Sequence, residues 1–205
     1  TGNVRNENQD HGLCFTVGGH QVLIFADGCG GVSYGQRAAY LAVGKAVMSI
    51  IRTYGKAPTW FTPDPVAAAA TAMHDASRCL AVEGAKLNIV DLRGGLRTTL
   101  IVVVANKKEF GYAYIGDGGG CVVRASGVIE HFLVPQKADK DIPNVLAASL
   151  GPAMQGEPVV GKMPRLPGDL LLVGTDGVFD RVDRSFPKDV LRGVIQHNGD
   201  LQKVL

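Results

Sequence analysis

Several patterns that mark common protein classes are absent from this sequence. Its cysteines, Cys14, Cys29, Cys79 and Cys121, are scattered and form no CxxC pair. This argues against a structural zinc site and favours a reducing compartment over a disulfide scaffold. The longest apolar run, TTLIVVVA, has the length of a buried strand and falls well short of the roughly 18 residues of a membrane span. A net charge of +2 is too small to favour nucleic acid or an anionic membrane. We therefore predict a cytoplasmic protein, or the soluble part of a larger one, with no membrane span and no nucleic-acid partner.

Familiar phosphate and cofactor motifs are missing as well. The glycines after the second apolar run give Gly28-x-Gly30-x-x-Ser33, which lacks the third glycine of a dinucleotide-binding fingerprint. No GxxxxGK[ST] occurs, so a phosphate-binding P-loop is not expected. A cysteine-dependent phosphatase needs an arginine six residues after its cysteine, and Gly35 occupies that position relative to Cys29. The chemistry of this chain must therefore lie in other residues.

What is present is the pattern of one α+β domain. The chain has 205 residues, of which 46% are hydrophobic and 20% charged. The predicted order is a hairpin, two helices, a meander of strands, a loop-rich insert with one short helix, a strand and a helix. Short turns between the strands indicate antiparallel pairing, and grouped helices indicate layers. The corresponding segments are GLCFTV and HQVLIFA; the helical pattern from Ala38 to Tyr54; a helix capped by Asp64 with Pro65 first; TTLIVVVAN, EFGYAYIG, GCVVRAS and GVIEHFL; the insert Val134–Pro158; GDLLLVGTDGVFD; and PKDVLRGVIQH.

Aspartates stand where several of these strands begin or end. Asp27, Asp117 and Asp176 each close an apolar run and are followed by glycine, and Asp10 precedes the first strand. Aspartate is unfavourable in strands and costly to bury unpaired, so a cation is an effective partner. Oxygen ligands without histidine or cysteine suit Mg²⁺ or Mn²⁺. Asp-Gly is also a common turn dipeptide, so spacing alone leaves the choice between a metal site and ordinary turns open.

Five segments, in the same order along the chain, resemble the metal-dependent PP2C-type (PPM) serine/threonine protein phosphatases, in a bacterial-like form. VRNENQD resembles the family's Arg-x-x-Asn-(Glu/Gln)-Asp opening, and FADGCGGVSYGQRAA resembles its Ala-Asp-Gly-x-Gly-Gly box. LRTTLIVVVA, AYIGDGGGCVVRASG and GDLLLVGTDGVFDRV resemble its Thr-Thr-Leu strand, its Gly-Asp-Ser-Arg strand pair and its Ser-Asp-Gly-x-x-Asp box. The match is spread over almost the whole chain.

This resemblance implies both a fold and an activity. The implied fold is α+β, a four-layer αββα sandwich of two antiparallel β-sheets flanked by helices. Residues 1–205 are expected to form a single PP2C-like phosphatase domain that is truncated at both ends. The implied function is a metal-dependent protein phosphatase that hydrolyses phosphoserine and phosphothreonine by attack of a metal-bridging hydroxide. Its partner is a phosphorylated protein substrate, in opposition to a serine/threonine kinase, and its cofactors are two Mn²⁺ or Mg²⁺ ions, with a third one weaker.

The resemblance also implies which residues act. By position, Asp27 bridges both ions, the Gly28 carbonyl binds one of them and Asp176 binds the other. Asp117 matches the carboxylate that supports the third ion, and Asp10 belongs to the metal site through metal-bound water.

Two further residues have implied roles outside the direct metal ligands. Gln9, next to Asp10, holds metal-bound water. Arg5 matches the arginine that grips phosphate oxygens, a role for which the planar guanidinium is well suited. The expected catalytic residues are thus Arg5, Asp27 and Asp176.

The chain departs from the family pattern in places. Cys29 stands where some members have histidine and many bacterial ones have methionine, and GDGGG replaces Gly-Asp-Ser-Arg, which removes a buried arginine. The Asp-Asn-x-(Ser/Thr) box that closes the family domain does not follow Asp176. Two alternatives therefore stay open: a catalytically weak or inactive PP2C-like regulatory binding module, and a metal-dependent hydrolase of other phosphoesters.

Overall fold

A computed structural model of the chain describes residues 8–29, 34–57, 60–89, 95–138, 145–179 and 186–196. Eight strands form two sheets in which every neighbouring pair is antiparallel. The five-stranded sheet has the order β1-β2-β3-β4-β7, and the three-stranded sheet has the order β6-β5-β8. The strands are β1 (Asp10–Val17), β2 (His20–Asp27), β3 (Leu100–Ala105), β4 (Glu109–Ile115), β5 (Gly119–Val123), β6 (Ile129–Leu133), β7 (Val159–Pro164) and β8 (Leu170–Gly174).

Four helices complete the described part of the fold: α1 (Gly35–Gly55), α2 (Pro65–Lys86), α3 (Asp176–Phe179) and α4 (Phe186–Gln196). The predicted start of α2 is confirmed. Asp64 Oδ1 accepts a hydrogen bond from the Val66 amide at 3.1 Å, and Pro65 occupies the first helical position. This cap satisfies an amide that the helix itself leaves without a partner, and proline costs nothing there because it has no amide to satisfy.

Two hydrophobic cores separate the layers. The first lies between the five-stranded sheet and α1 and α2, whose buried faces contain more alanine than any other residue. Small side chains let both helices approach the sheet closely. The second core lies between the two sheets and contains aromatic pairs, with the rings of Phe110 and Phe132 centred 5.0 Å apart. Because α4 contacts β5 on the three-stranded sheet, the order of layers is the predicted αββα.

The structure corrects the sequence interpretation in three places. The short helix expected in the insert Val134–Pro158 is absent from its described parts, 134–138 and 145–158, which form irregular chain with isolated bridges. Strand β7 was not predicted, because VVGKMP contains glycine and proline and is an edge strand with Val159 and Val160 exposed. The strand expected to end at Asp176 ends at Gly174, and Asp176 begins α3.

None of the helices in the described ranges is long and apolar enough to cross a membrane.

Candidate functional site

The hairpin of β1 and β2 places two of the predicted aspartates side by side. Asp10, the first residue of β1, is paired across the ladder with Asp27, the last residue of β2. Residues paired in this way have their side chains on the same face of the sheet, about 5 Å apart. Because this register holds the two carboxylates together at the strand ends, their proximity is a property of the fold and not of one side-chain rotamer.

The backbone of Asp27 is fixed by the start of the next strand. Its amide donates to Thr99 Oγ1 at 2.9 Å, and its carbonyl oxygen accepts from the Thr99 amide and from Thr98 Oγ1, each at 2.9 Å. Both threonines are buried. The carboxylate itself takes no part in these bonds. Asp27 is therefore positioned by its main chain, and its carboxylate oxygens can bind a ligand.

Gly28 follows at a point where the backbone of another element passes very close. Its amide donates to the Gln9 carbonyl at 3.1 Å. A Cβ atom at Gly28 would lie 2.3 Å from the carbonyl carbon and oxygen of Gly35, at the start of α1. No side chain fits there, which explains why glycine follows the aspartate at this strand end.

A third carboxylate, that of Asp176, follows a strand of the three-stranded sheet. Asp176 begins α3 directly after β8, and its side chain and that of Asp10 both lie close enough to the Asp27 carboxyl to raise its pKa. Burial, followed by the negative charges of Asp10 and Asp176, raises the pKa of Asp27 to about 8. Such crowding of acids is unfavourable in a protein without a ligand and is typical of a cation site.

Asp117 and Cys29 lie next to the carboxylates of Asp10, Asp27 and Asp176. Asp117 is 7% exposed and follows β4. Burial is the largest cause that raises the pKa of the Cys29 thiol to about 11, and the charges of Asp27 and Asp117 raise it further while Arg97 lowers it. Cys29 is therefore not a reactive thiolate in this state. The mutual influence of these groups places Asp117 in the same region as Asp27.

The donor set agrees with a hard divalent cation. The side-chain ligands that meet at Asp27 are carboxylate oxygens, which suit Mg²⁺ or Mn²⁺. Within the described ranges, no group of three or more His, Cys, Asp or Glu side chains is placed so that it could hold a metal ion. The residues fit the ions in chemistry and in their pairwise contacts around Asp27, and the predicted Arg5 lies outside the described residues.

The sequence interpretation missed two features of this region. It gave no role to Thr98 and Thr99, although they hold the Asp27 backbone. It also overlooked Arg97. The signal available in the sequence was a charged residue that is separated from the buried strand β3 by only two residues.

The replacement of the family's Gly-Asp-Ser-Arg by GDGGG has a packing explanation. A Cβ atom at Gly119 would lie 2.3 to 2.7 Å from carbons of the Phe179 ring. Phe179 is the last residue of α3, the short helix that Asp176 begins. The aromatic ring therefore rests on the bare backbone of Gly119 and supports the helix that carries this carboxylate.

We expect Gly119→Ala to lower the free energy of unfolding by about 1–3 kcal/mol, the usual range for overpacking. The double variant Gly119→Ala with Phe179→Ala should be less destabilised than the sum of the single variants, because removing the ring makes space for the methyl group. Urea unfolding of all three measures this. Gly177→Ala on the same helix, where the nearest atom to the new methyl is 3.8 Å away, is the control. Additive effects of the two single changes would contradict the contact.

Comparison with known proteins agrees with this fold. The sequence model of the family described as Protein phosphatase 2C matches residues 4–202. The chain therefore belongs to the protein phosphatase 2C family, and its predicted class, a protein serine/threonine phosphatase, is confirmed at the level of the family. No curated protein sequence matches it.

Solved structures of bacterial phosphatases share the fold at low identity. The Stp1 serine/threonine phosphatase of Staphylococcus aureus is 20% identical with a TM-score of 0.77, over 100% of this chain and 85% of that one. The PstP/Ppp phosphatase of Mycobacterium tuberculosis is 19% identical with a TM-score of 0.74, over 99% and 83%. A PstP catalytic domain in complex with two manganese ions is 20% identical with a TM-score of 0.73, over 95% and 80%.

Proposed function

We propose that this protein hydrolyses phosphoserine and phosphothreonine in proteins with the help of two Mn²⁺ or Mg²⁺ ions. The observation that carries the proposal is the contact of Asp10 and Asp176 with the Asp27 carboxyl at the meeting point of the two sheets. The two manganese ions of the similar PstP catalytic domain support the choice of ion. The phosphorylated proteins that serve as substrates would be produced by a serine/threonine kinase.

The residues of the site would divide the work according to their positions. Asp27, at the centre of the carboxylates, would hold both ions. The Gly28 carbonyl and Asp176 would each hold one of them, and Asp117 would hold a third. When bound, such ions activate water for attack at phosphorus and offset the negative charge that develops there.

The remaining predicted residues would act one layer further out. Asp10 and Gln9 stand beside Asp27 and Gly28 and would orient water in the site. Arg5 would bind phosphate oxygens through its guanidinium, whose fork of donors matches two oxygens at once. The Thr98 and Thr99 hydroxyls hold the Asp27 backbone in place, so they contribute to the order of the site without contacting substrate.

Phosphate release from a phosphothreonine peptide tests this function. We expect activity with Mn²⁺, its loss in excess EDTA, and a decrease of about a hundredfold or more in Asp176→Asn, since losing a metal ligand costs several kcal/mol of transition-state stabilisation. The control is Asp189→Asn, which removes an exposed carboxylate of α4.

Two other results would select the alternatives. Hydrolysis of p-nitrophenyl phosphate without hydrolysis of phosphopeptides would identify a hydrolase of other phosphoesters. Absence of Mn²⁺ binding in calorimetry, together with absence of hydrolysis, would identify a regulatory binding module.

A further inference from the structure

Next to the carboxylate cluster, the five-stranded sheet is extended by three short segments that lie side by side. They are residues 27–29, 97–99 and 149–151. On one side of Thr98, the Cys29 amide donates to the Arg97 carbonyl at 3.0 Å and the Thr99 amide donates to the Asp27 carbonyl at 2.9 Å. On the other side, Thr98 and Leu150 exchange two backbone hydrogen bonds of 3.0 and 2.8 Å. Strand β4 pairs with β3 only as far as Ile115, because Gly116, with a φ of 110°, turns the chain away from the sheet. Segment 149–151 occupies the position beside the chain of β3 that β4 would otherwise fill.

This pairing puts Arg97 on the same face as Asp27. Side chains alternate between the two faces of a sheet, so residues next to Thr98 share the face opposite to its own. One row on this face consists of Asp27, Thr99 and Ser149, and the next consists of Cys29, Arg97 and Gly151. Diagonal neighbours in such rows are about 7–8 Å apart, which is within the reach of an arginine side chain. Arg97 therefore stands one row from the centre of the carboxylate cluster.

Among the described residues, two neutral groups hold the Arg97 guanidinium. Its Nε and Nη2 donate to Ser149 Oγ at 3.1 and 2.8 Å, and Nη2 also donates to Gln155 Oε1 at 2.6 Å. Ser149 is fully buried, and its backbone exchanges two hydrogen bonds with that of Gln155, at 2.9 and 3.0 Å. The acceptors fix the guanidinium without neutralising its charge, and Nη1 lies outside these three bonds. The side chain is thus oriented by uncharged acceptors, which leave its positive charge to attract an anionic ligand.

We propose that Arg97 is a substrate-binding residue that contacts the phosphoryl group, an inference that rests on the proposed phosphatase function. A phosphoryl group bound at Asp27 would lie within reach of this guanidinium, which adds a fixed positive charge at that side of the site. Guanidinium also binds phosphate oxygens with directed, charge-assisted hydrogen bonds. Because Ser149 and Gln155 already orient the side chain, little conformational entropy is lost when phosphate binds. Ser149 and Gln155 thus act as positioning residues.

Binding of inorganic phosphate by the Mn²⁺-loaded protein, measured by calorimetry, tests the proposal. We expect Arg97→Gln to weaken phosphate binding and raise the KM for a phosphothreonine peptide by about tenfold or more, the effect of losing one charge-assisted contact. Its affinity for Mn²⁺ should change less than twofold. Arg78→Gln removes one positive charge from the exposed face of α2 and should leave all of these values unchanged. Equal phosphate binding by Arg97→Gln and Arg78→Gln would overturn the proposal.

Two further variants separate binding from packing. Ser149→Ala removes the acceptor of two Arg97 hydrogen bonds but keeps the positive charge of Arg97. It should lower the urea midpoint of the metal-free protein, and it should weaken phosphate binding less than Arg97→Gln does. If Ser149→Ala weakens phosphate binding more than Arg97→Gln does, Arg97 only links segment 149–155 to the sheet. If Arg97→Gln does not fold, Arg97→Lys carries the test, because lysine keeps the charge but not the fork. Several-fold weaker phosphate binding in Arg97→Lys supports the proposal, and unchanged binding overturns it.

Failure of this inference is distinguishable from failure of the proposed function. If the wild-type protein hydrolyses the phosphopeptide and Arg97→Gln does so with the same KM, the function stands and the role of Arg97 is refuted. If the wild-type protein binds phosphate through Arg97 but hydrolyses no phosphopeptide, the role of Arg97 stands and the function is refuted.

Discussion

Replacing Asp27 with asparagine is expected to reduce phosphopeptide hydrolysis by about a thousandfold or more and, at the same time, to stabilise the metal-free protein. The loss of activity follows because asparagine offers one neutral oxygen where the carboxylate would hold two dications, which removes several kcal/mol of transition-state stabilisation. The backbone bonds of residue 27 to Thr98 and Thr99 do not involve the carboxylate, so the site should keep its shape.

The gain in stability has an electrostatic cause. Asp27 is in contact with two other carboxyl groups, and their charges, together with burial, raise its pKa. At neutral pH this carboxyl must therefore take up a proton when the metal-free protein folds, and the neutral asparagine avoids that cost. We expect the free energy of unfolding in EDTA to rise by about 1–2 kcal/mol, an amount typical of changes that relax a functional site. This figure is kept small because the group is partly exposed and solvent screens the repulsion.

Urea unfolding in EDTA and peptide hydrolysis in Mn²⁺ measure the two effects on the same preparations. Asp189→Asn provides the matched control, because Asp189 is an exposed carboxylate that pairs only with the exposed Arg192 at 3.3 Å among the described residues. It should change neither quantity appreciably. An Asp27→Asn protein that retains a tenth of the wild-type rate, or that unfolds more easily than the wild type in EDTA, would contradict the role given to this residue.

The strands and helices were largely predictable, because their signals are local. The Gly18-Gly19 turn with apolar runs on both sides predicted the β1–β2 hairpin, and Asp64 followed by Pro65 predicted the start of α2. Strand β7 gave no such signal. It is an edge strand with exposed valines, so it shows neither the alternation of a half-buried strand nor the apolar run of a central one.

The assembly of the site was predictable only through the family resemblance. Asp27 and Asp176 are far apart in the sequence, and Asp27 ends a strand of one sheet while Asp176 follows a strand of the other, so no local pattern contains their contact. It depends on the packing of one sheet on the other, a long-range property. The position of Arg97 depends likewise on Leu150 replacing β4 beside Thr98. The spacing of residues along the chain does not indicate that segment 149–151, and not β4, lies beside Thr98.

A glycine inside a predicted strand gives the second large effect. Gly111→Ala is expected to lower the free energy of unfolding by about 2–4 kcal/mol, which for a chain of this size is a decrease in Tm of about 4–16 °C. The new Cβ atom would lie 2.3 Å from the Val66 amide nitrogen and 2.4 Å from the Pro65 carbonyl carbon. Both atoms belong to the backbone at the start of α2, where the Asp64 cap holds the chain, so neither can rotate away as a side chain would.

The EFGYAYI segment predicts a strand but not this close contact, although glycine in a strand often marks the approach of another backbone. Gly44→Ala is the control, because Gly44 is exposed on α1 and its new methyl group would meet nothing within 4 Å. Alanine is the better helix former, so this variant should be more stable by about 0.5–1 kcal/mol. Urea unfolding followed by circular dichroism measures both. If Gly111→Ala unfolds within about 0.5 kcal/mol of the wild type, helix α2 does not rest on β4 at this residue. The alanine-rich face of α2 would then have to pack on the sheet at a greater distance than the fold described above requires.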